Sequence, residues 1–316
     1  METQSLCEAL RLKLKEAVER NRAQALLFSG GLDTSILAFL SPGVYALSVR
    51  LEEFGEDFKY AKALSERLGL QLHLRKVDVE EALEAIPEVI RIRRSFDPAL
   101  PNDLALYFAL QLAREQGFDS VMTGDGADEL FAGYDYMFHL DLEHYLPWLA
   151  ERMHFSAGEL GSYLGIEVRQ PFLDEALISF ALSIQPHLKV REEGGRKYGK
   201  WILRKAFEGF LPQEVIWQAK RPIEVGSGFA ELRGIVASSI SEEEFAEAQR
   251  TYPIQFLSKD HLYYYRIYQR VVGQMPSPQP GEERCLGCGA GIKPSAFHCR
   301  ICGWCREAGC EDFRSL

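Results

Sequence analysis

Leu26-Leu27-Phe28-Ser29-Gly30-Gly31-Leu32-Asp33-Thr34-Ser35 is the stretch on which the reading of the fold turns. Ala25 to Phe28 is a short apolar run of the kind that forms a buried parallel strand. Gly30 and Gly31 permit a tight turn in which backbone N–H groups face one point with no Cβ in the way. Thr34 to Leu40 reads as the first turns of a helix, whose positive end lies beside that turn. Strand, glycine turn and helix start together make an anion cradle suited to pyrophosphate or a nucleotide. The Lys-Ser/Thr of a Walker loop is missing, and G-x-G-x-x-G is not matched. Asp33 puts a carboxylate where phosphates would bind, which is repulsive unless a divalent cation sits between them. Gly-Gly alone would only join a strand to a helix. Ser29, Asp33, Thr34 and Ser35 in the same turn point to a nucleotide site.

Working outward, Leu6, Leu10, Leu14, Ala17 and Val18 mark the packing face of a helix ahead of this strand. Beyond it, Val44 to Leu51 reads as a second strand and Asp57 to Leu68 as a helix ended by Gly69. Leu70 to Val77 reads as a third strand, and a helix follows from about Glu80 to Ile92. Asn102 or Asp103 can cap a helix running to Gln116, before a short strand over Ser120 to Thr123. Strands alternating with helices of this length predict an α/β fold with a doubly wound parallel sheet. In such sheets ligands sit beyond the carboxyl ends of the strands, where Ser29 and Gly124 both fall. Further on, Tyr163 to Ile184 and Lys200 to Phe210 read as helices, and Tyr263, Tyr264, Tyr265 and Tyr268 lie on another whose spacing suits packing.

The second constellation is Val121-Met122-Thr123-Gly124-Asp125-Gly126-Ala127-Asp128-Glu129-Leu130-Phe131-Ala132-Gly133-Tyr134. Again a strand runs into a glycine-rich turn, now with three carboxylates. Should it lie across the crevice from Asp33, then Asp128 and Asp33 would share a Mg²⁺ on a triphosphate. A solvated acidic loop capping a helix would explain Glu129 and Asp125, but not the glycines around them.

Composition narrows the function classes. The formal net charge of −10 over 316 residues argues against a nucleic-acid groove, which needs a basic stripe. No apolar run approaches membrane-spanning length and residues 1–20 lack a signal-peptide pattern, so the expected compartment is the cytoplasm. Cys7 stands alone, whereas the other six cysteines fall between Cys285 and Cys310, which reads as metal ligation under reducing conditions. Residues 274–283 form a proline-rich boundary. After it, Cys285-x-x-Cys288-Gly289 and Cys299-x-x-Cys302-Gly303 are separated by ten residues, the spacing of a four-cysteine zinc ribbon. Each glycine is expected to turn backbone N–H groups toward thiolate sulfur. Cys305 and Cys310 have three readings: an iron–sulfur site with Cys299 and Cys302, a second metal held with another chain, or a redox pair. Acids and bases balance across residues 281–316, so this tail reads as a structural zinc knob for docking a partner protein.

These segments carry a resemblance. Ser29 to Ser35 resembles the S-G-G-L-D-S-S loop of the pyrophosphate-loop ATP enzymes. Thr123 to Tyr134 resembles the S-G-E-G-A-D-E-L-F-G-G-Y segment of the synthetase domain of asparagine synthetases and their relatives, β-lactam synthetases included. Ile166 to Asp174, and Lys220 followed by Gly226-Ser227-Gly228, agree with the same family, in its order, from about Ala25 to Phe229. The resemblance implies an ATP-pyrophosphatase sheet with a helical subdomain, placed over residues 1–273; the linker at 274–283 and the Cys-rich zinc domain at 284–316 are read from proline content and cysteine spacing. It implies a ligase that forms AMP and pyrophosphate: a carboxylate attacks the α-phosphate of ATP, and ammonia or an amine captures the acyl-adenylate. Carried over by position, Ser29, Gly30, Gly31, Asp33, Thr34 and Ser35 would hold pyrophosphate, Val49 would line the adenine site, and Thr123 and Gly124 would border the nucleotide. Asp33 and Asp128 would bind Mg²⁺, and Lys220 would act as an isolated cation on the α-phosphate.

Asp125 replaces the family's glutamate, one methylene shorter, at the position that steers or deprotonates the amine. Arg169 fits a substrate carboxylate through its guanidinium fork, and equally an ion pair with Asp174 or Glu167. Lys200 and Arg204 could reach the phosphates or decorate a surface, with Arg204 placed on the surface. Only about two dozen residues precede the loop, so no glutaminase domain is expected in this chain, and nitrogen would come from free ammonia, a partner amidotransferase or an amine. The competing reading is a tRNA- or sulfur-modifying ATP-pyrophosphatase that uses the metal tail.

Overall fold

The computed structural model describes residues 2–296 and 298–306. Along the chain the order begins α1 (Glu2–Arg20), β1 (Ala25–Leu27), α2 (Leu32–Leu40), β2 (Tyr45–Leu51), α3 (Asp57–Leu68), β3 (Leu72–Val77) and α4 (Val79–Arg93). Next come α5 (Leu100–Glu115), β4 (Ser120–Met122), α6 (Ala127–Phe131), α7 (Leu142–Ala150), α8 (Ala157–Leu164) and β5 (Glu167–Arg169). Then follow α9 (Glu175–Ser183), α10 (Pro186–Lys189), β6 (Arg191–Glu193), β7 (Arg196–Tyr198), α11 (Trp201–Phe207) and α12 (Gln213–Ile216). The last elements are α13 (Ile223–Gly226), α14 (Glu231–Ser238), α15 (Glu242–Thr251), α16 (Lys259–Val271), β8 (Glu283–Arg284) and β9 (Gly291–Ile292).

Five strands form one sheet in the order β3-β2-β1-β4-β5. β1 runs parallel to both β2 and β4, and β4 runs parallel to β5. The chain therefore winds outward from β1 through β2 to β3, then returns to the other side of β1 to lay down β4. That reversal is the topological switch point, and a crevice opens there beyond the carboxyl ends of β1 and β4. Both glycine turns singled out in the sequence leave the sheet at this place. The architecture is the α/β fold with a doubly wound parallel sheet that the sequence predicts.

Two predicted elements differ. Asn102 and Asp103 do not cap α5, because the helix starts at Leu100, with the Asp97 carboxylate accepting from the Ala99 N–H at 2.8 Å and Pro101 in the first turn. Asp103 instead pairs with Arg93 at 3.1 Å. Tyr163 to Ile184 is not continuous helix. Gly165 (φ +74°) stops α8, and β5 then completes the sheet edge against β4 before α9 begins.

The chain forms two compact units. The first comprises the chain up to Val49, Glu56–Arg75 and Ala109–Arg221. Its core takes Cys7, Leu10, Leu14, Ala17 and Val18 of α1, with Leu26 and Phe28 of the β1 segment and Ile202, Leu203 and Phe207 of α11. Cys7 is thus a core residue of a helix, and burial pushes its thiol pKa up.

The second unit comprises Arg50–Gly55, Lys76–Phe108 and the described residues from Pro222 onward. Its aromatic centre is Phe96, whose ring lies 5.1 Å from Tyr265, 5.2 Å from Tyr268 and 5.2 Å from His261. The tyrosines of α16 are therefore packing residues, as their spacing predicted. The cysteine-rich segment belongs to this unit and docks through its backbone. Phe96 donates to the Ile301 carbonyl at 2.7 Å, Gln255 donates to the Gly287 carbonyl at 2.8 Å, and His298 Nε2 lies 3.0 Å from the Asp97 carboxylate. No described helix is long and apolar enough to cross a membrane.

Candidate active site

The turn after β1 is built as its residue types require. Gly30 has φ +74°, and a Cβ there would lie 2.6 Å from the Ala61 nitrogen and 2.9 Å from the Ala61 Cα, so α3 packs against the turn's backbone. Gly31 is the N-cap of α2 and offers no side-chain cap to the first-turn N–H groups. The hydroxyls brace the turn. Ser29 Oγ accepts from the Gly31 N–H at 3.1 Å and lies 3.2 Å from Thr34 Oγ1, and Ser35 Oγ donates to the Gly31 carbonyl at 2.6 Å.

The turn after β4 meets it directly. A Cβ on Gly124 would come within 3.2 Å of Asp33 Cβ and 3.5 Å of Thr34 Cγ2. Thr123 is buried, its N–H donates to the Arg169 carbonyl, and its Oγ1 donates to Asp125 Oδ2 at 2.7 Å. Gln170 Nε2 also donates to that oxygen, at 2.8 Å. The shorter carboxylate at this position is thus tethered from both flanking strands, and burial raises its pKa above the ordinary aspartate range. Val49 is half-buried in β2.

The centre of the site is a cluster of four charges. Lys200 Nζ lies 2.8 and 2.7 Å from the two Asp33 carboxylate oxygens and 2.6 Å from Asp128 Oδ1. Lys220 Nζ donates to Asp128 Oδ2 at 2.6 Å and sits 5.3 Å from the Tyr134 ring centroid. Both Asp128 carboxylate oxygens are thus ion-paired, Oδ1 with Lys200 and Oδ2 with Lys220. Burial alone would raise the Asp128 pKa, but Lys200 and Lys220 together hold it down at about 2. Burial would likewise discharge Lys220, and Asp128 and Asp33 outweigh it to keep the ammonium protonated. Beside them, burial and the Asp128 charge push Glu129 up to about 7, and the Tyr134 hydroxyl donates to it at 3.3 Å.

The cluster is mounted on strained backbone. Ala132 and Lys200 both adopt φ +54°, a left-handed conformation costing about 1–2 kcal/mol for a residue bearing a Cβ. Lys200 N–H donates to the Phe131 carbonyl at 2.9 Å, and a Cβ on Gly133 would collide with the Asp128 carboxylate and lie 2.5 Å from Lys200 Cε. Gly133 is therefore a close-approach glycine rather than a helix stop alone.

Asp33, Asp128, Lys220, Gly124 and the Ser29–Ser35 turn are brought together. Lys220 is not an isolated cation, as the resemblance suggested, because Asp128 pairs with it. Lys200 is not a surface residue: its side chain is 4% exposed. Arg204 is also buried rather than on a surface. Its guanidinium donates to the carbonyls of Gly199 (2.9 Å), Gln218 (3.1 Å) and Ile216; Trp201, Ile202, Leu203, Ala206 and Phe207 are buried around it, and of α11 only Lys205 is partly exposed. Arg169 pairs with Glu167 at 2.8 Å, and Asp174 takes Arg20 at 2.7 Å.

In the second unit, Cys285, Cys288, Cys299 and Cys302 gather with all four sulfurs within 4.8 Å of one another. Cys285 Sγ lies 3.7 Å from Cys302 Sγ, and Cys288 Sγ 3.9 Å from Cys299 Sγ. Tetrahedral ligation with metal–sulfur bonds of about 2.3 Å places sulfurs about 3.8 Å apart, so the donor set fits a single ion. Backbone amides do turn toward sulfur: Gly287 N–H lies 3.3 Å from Cys285 Sγ, and the Cys288 and Cys302 amides bond the Cys285 and Cys299 sulfurs. Gly289 and Gly303 close the two knuckle turns with positive φ, their own N–H groups donating to the Cys285 and Cys299 carbonyls at 2.8 and 2.9 Å. Cys305 stands outside the group, its Sγ 3.7 Å from the Gly303 carbonyl, and Cys310 lies outside the described residues.

The asparagine synthase family model matches residues 8–164 and 159–274. The chain belongs to the asparagine synthase family. Among curated relatives, it is 28% identical over 322 residues to asparagine synthetase B [glutamine-hydrolyzing] of Escherichia coli (strain K12), covering 92% of this chain and 57% of that protein. It is 27% identical over 279 residues to a probable asparagine synthetase [glutamine-hydrolyzing] of Dictyostelium discoideum, covering 76% and 50%. The chain thus spans about half the length of the curated relatives it matches. Among solved structures it is similar to NMN synthetase from Francisella tularensis at 14% identity and a TM-score of 0.39, covering 88% of this chain and 99% of that one. It is also similar to the U34-tRNA thiolase NcsA from Methanococcus maripaludis with its [4Fe–4S] cluster, at 12% identity and a TM-score of 0.31, covering 99% and 89%.

Proposed function

We propose that this chain is an ATP-dependent amide synthetase that forms AMP and pyrophosphate. The observation that carries this reading is the meeting of Asp33 and Asp128, from two separate glycine turns, on one point flanked by two lysines. An oxygen of the substrate carboxylate attacks the α-phosphate of ATP and the bond to pyrophosphate breaks. The amine nitrogen then attacks the acyl carbon of the adenylate, AMP leaves, and the amine proton passes to a carboxylate. Ser29, Gly30, Gly31, Thr34 and Ser35 cradle the departing pyrophosphate at the N-terminus of α2. Lys220 faces charge that grows on the α-phosphate, in a site buried enough for a fixed cation to count. Thr123 and Gly124 border the nucleotide, Val49 lines the adenine position, and Arg169 orients the acyl substrate. Asp125, held by Thr123 and Gln170, receives the amine.

The convergence of two carboxylates with only hard oxygen donors fits a hard divalent cation such as Mg²⁺. Asp33 and Asp128 would hold it, and it would supply charge neutralisation for the phosphates. For the ribbon, the sulfur spacing supports a tetrahedral zinc site of structural type. The four corners of an iron–sulfur cubane would hold the sulfurs further apart. A protein that docks on the ribbon, and a partner amidotransferase supplying ammonia, belong to this proposal. The cytoplasm is its compartment.

A screen of carboxylates with ATP, Mg²⁺ and ammonia, following pyrophosphate and AMP, tests the reading. The expected result is stoichiometric AMP and pyrophosphate with one carboxylate, lost in Asp33→Ala and Lys220→Ala. ADP as the sole nucleotide product rules the mechanism out, and salt-dependent tRNA binding would favour a base-modifying enzyme instead.

A further inference from the structure

Lys200 stands where a metal-binding pair would be expected to lie open. Its ammonium is within 2.8 Å of both Asp33 oxygens and 2.6 Å from Asp128, and Lys220 holds the other Asp128 oxygen. The four charges sum to zero, so the cluster offers a bare divalent cation no net attraction. A cation entering with Lys200 in place would meet two ammonium groups at close range, in a site where low exposure leaves little water to screen them. Nor can Lys200 simply swing into solvent. Its side chain is 4% exposed, its stem is clamped against Gly133, and its backbone is pinned by the bond to the Phe131 carbonyl.

Something must draw the ammonium away, and the anion cradle at Ser29–Ser35 lies in the same crevice. We propose that Lys200 is a placeholder that closes the Asp33–Asp128 pair to free divalent cations, so that metal enters only with a polyphosphate whose oxygens take over the ammonium. This rests on the nucleotide reading above. It makes Lys200 a positioning residue that couples metal entry to nucleotide entry. Lys200 is the one cation in ion-pair contact with Asp33 among the described residues, so removing it leaves the four-charge cluster with one uncompensated negative charge and an open site.

The test uses the full, zinc-loaded chain without nucleotide and reads Mn²⁺ binding by electron paramagnetic resonance. Lys200→Asn and Lys200→Gly suit the left-handed backbone at this position and remove the ammonium. Both are expected to bind Mn²⁺ at least tenfold more tightly than the parent chain, and adding Asp33→Asn should abolish the gained site. The parent chain is expected to take up Mn²⁺ at least tenfold more tightly with a non-hydrolysable ATP analogue than without. Folded variants that bind Mn²⁺ no better than the parent overturn the proposal, as does a parent chain that binds Mn²⁺ equally well alone. The nucleotide reading fails on a separate result: no binding of the analogue by the parent chain at any Mn²⁺ concentration.

Discussion

Two adjacent glycines in the first turn predict opposite outcomes for the same substitution. In Gly30→Ala the added methyl would lie 2.6 Å from the Ala61 nitrogen, 2.9 Å from its Cα and 2.9 Å from the Tyr60 carbonyl carbon, all backbone atoms of α3. None of them can rotate aside. Forcing alanine to φ +74° costs about 1–2 kcal/mol, and overpacking against a helix backbone adds about 1–3 kcal/mol. The sum is roughly 2–5 kcal/mol, or a melting temperature lowered by about 10 °C for a unit of this size. Gly31 has φ −71°, and its nearest neighbour to a new Cβ is Ser29 Oγ at 3.1 Å, so Gly31→Ala should cost less than about 1 kcal/mol. Urea unfolding followed by tryptophan fluorescence reads this directly, because Trp148, Trp201 and Trp217 all belong to the first unit. Equal losses in the two variants, or a Gly30→Ala protein within about 0.5 kcal/mol of the parent, would refute the reasoning.

Three further outcomes are expected. Lys189 is 1% exposed and pairs with no acid among the described residues, and burial lowers its pKa from 10.5 to about 8. Because the folded state binds the proton less well, stability should rise with pH between about 8 and 10.5. Lys189→Met should therefore stabilise the protein by about 3 kcal/mol at pH 7, a gain that vanishes near pH 11; a pH-independent gain contradicts this. Stripping the ribbon metal with a chelator should raise amide exchange at Phe96 and Gln255 by about a hundredfold or more while Phe28, bonded to the Leu47 carbonyl at 2.7 Å, stays protected. Unchanged exchange at Phe96 would show that the docking does not depend on metal, whereas Cys305→Ser should leave metal content intact. Arg204→Lys should destabilise the first unit by about 2 kcal/mol or more in urea, since an ammonium cannot reach three separate carbonyls; a neutral result would remove the guanidinium from the account.

What the sequence disclosed and what it hid divide along a physical line. The β1 and β4 turns were legible because each packs its chemistry into consecutive residues: strand, glycines, hydroxyls and carboxylates within about a dozen positions. The gathering of Cys285, Cys288, Cys299 and Cys302 was legible for the same reason, since a four-cysteine cluster is read from spacing alone. Lys200 and Arg204 carry no such local signature. They sit one helical turn apart with ordinary neighbours, and only the burial of Trp201, Ile202, Leu203, Ala206 and Phe207 on every side of α11 turns both inward. The decisive geometry comes from pairs remote in sequence, in which Gly199 backs onto Ala132 and Lys200 reaches Asp33 across the sheet's switch point. Such pairings follow from strand order rather than local pattern, and β5, hidden inside an apparently helical run, supplies Gln170 by the same route. A strained lysine among acids is therefore a consequence of topology: two non-glycine residues at φ +54° persist because the sheet and α11 fix the backbone on both sides. It follows that replacing Ala132 by glycine, which relieves strain without touching a charge, should stabilise the first unit by up to about 1 kcal/mol in urea. Lost stability in that variant would show that Ala132 packs usefully and that the strain account of this turn is wrong.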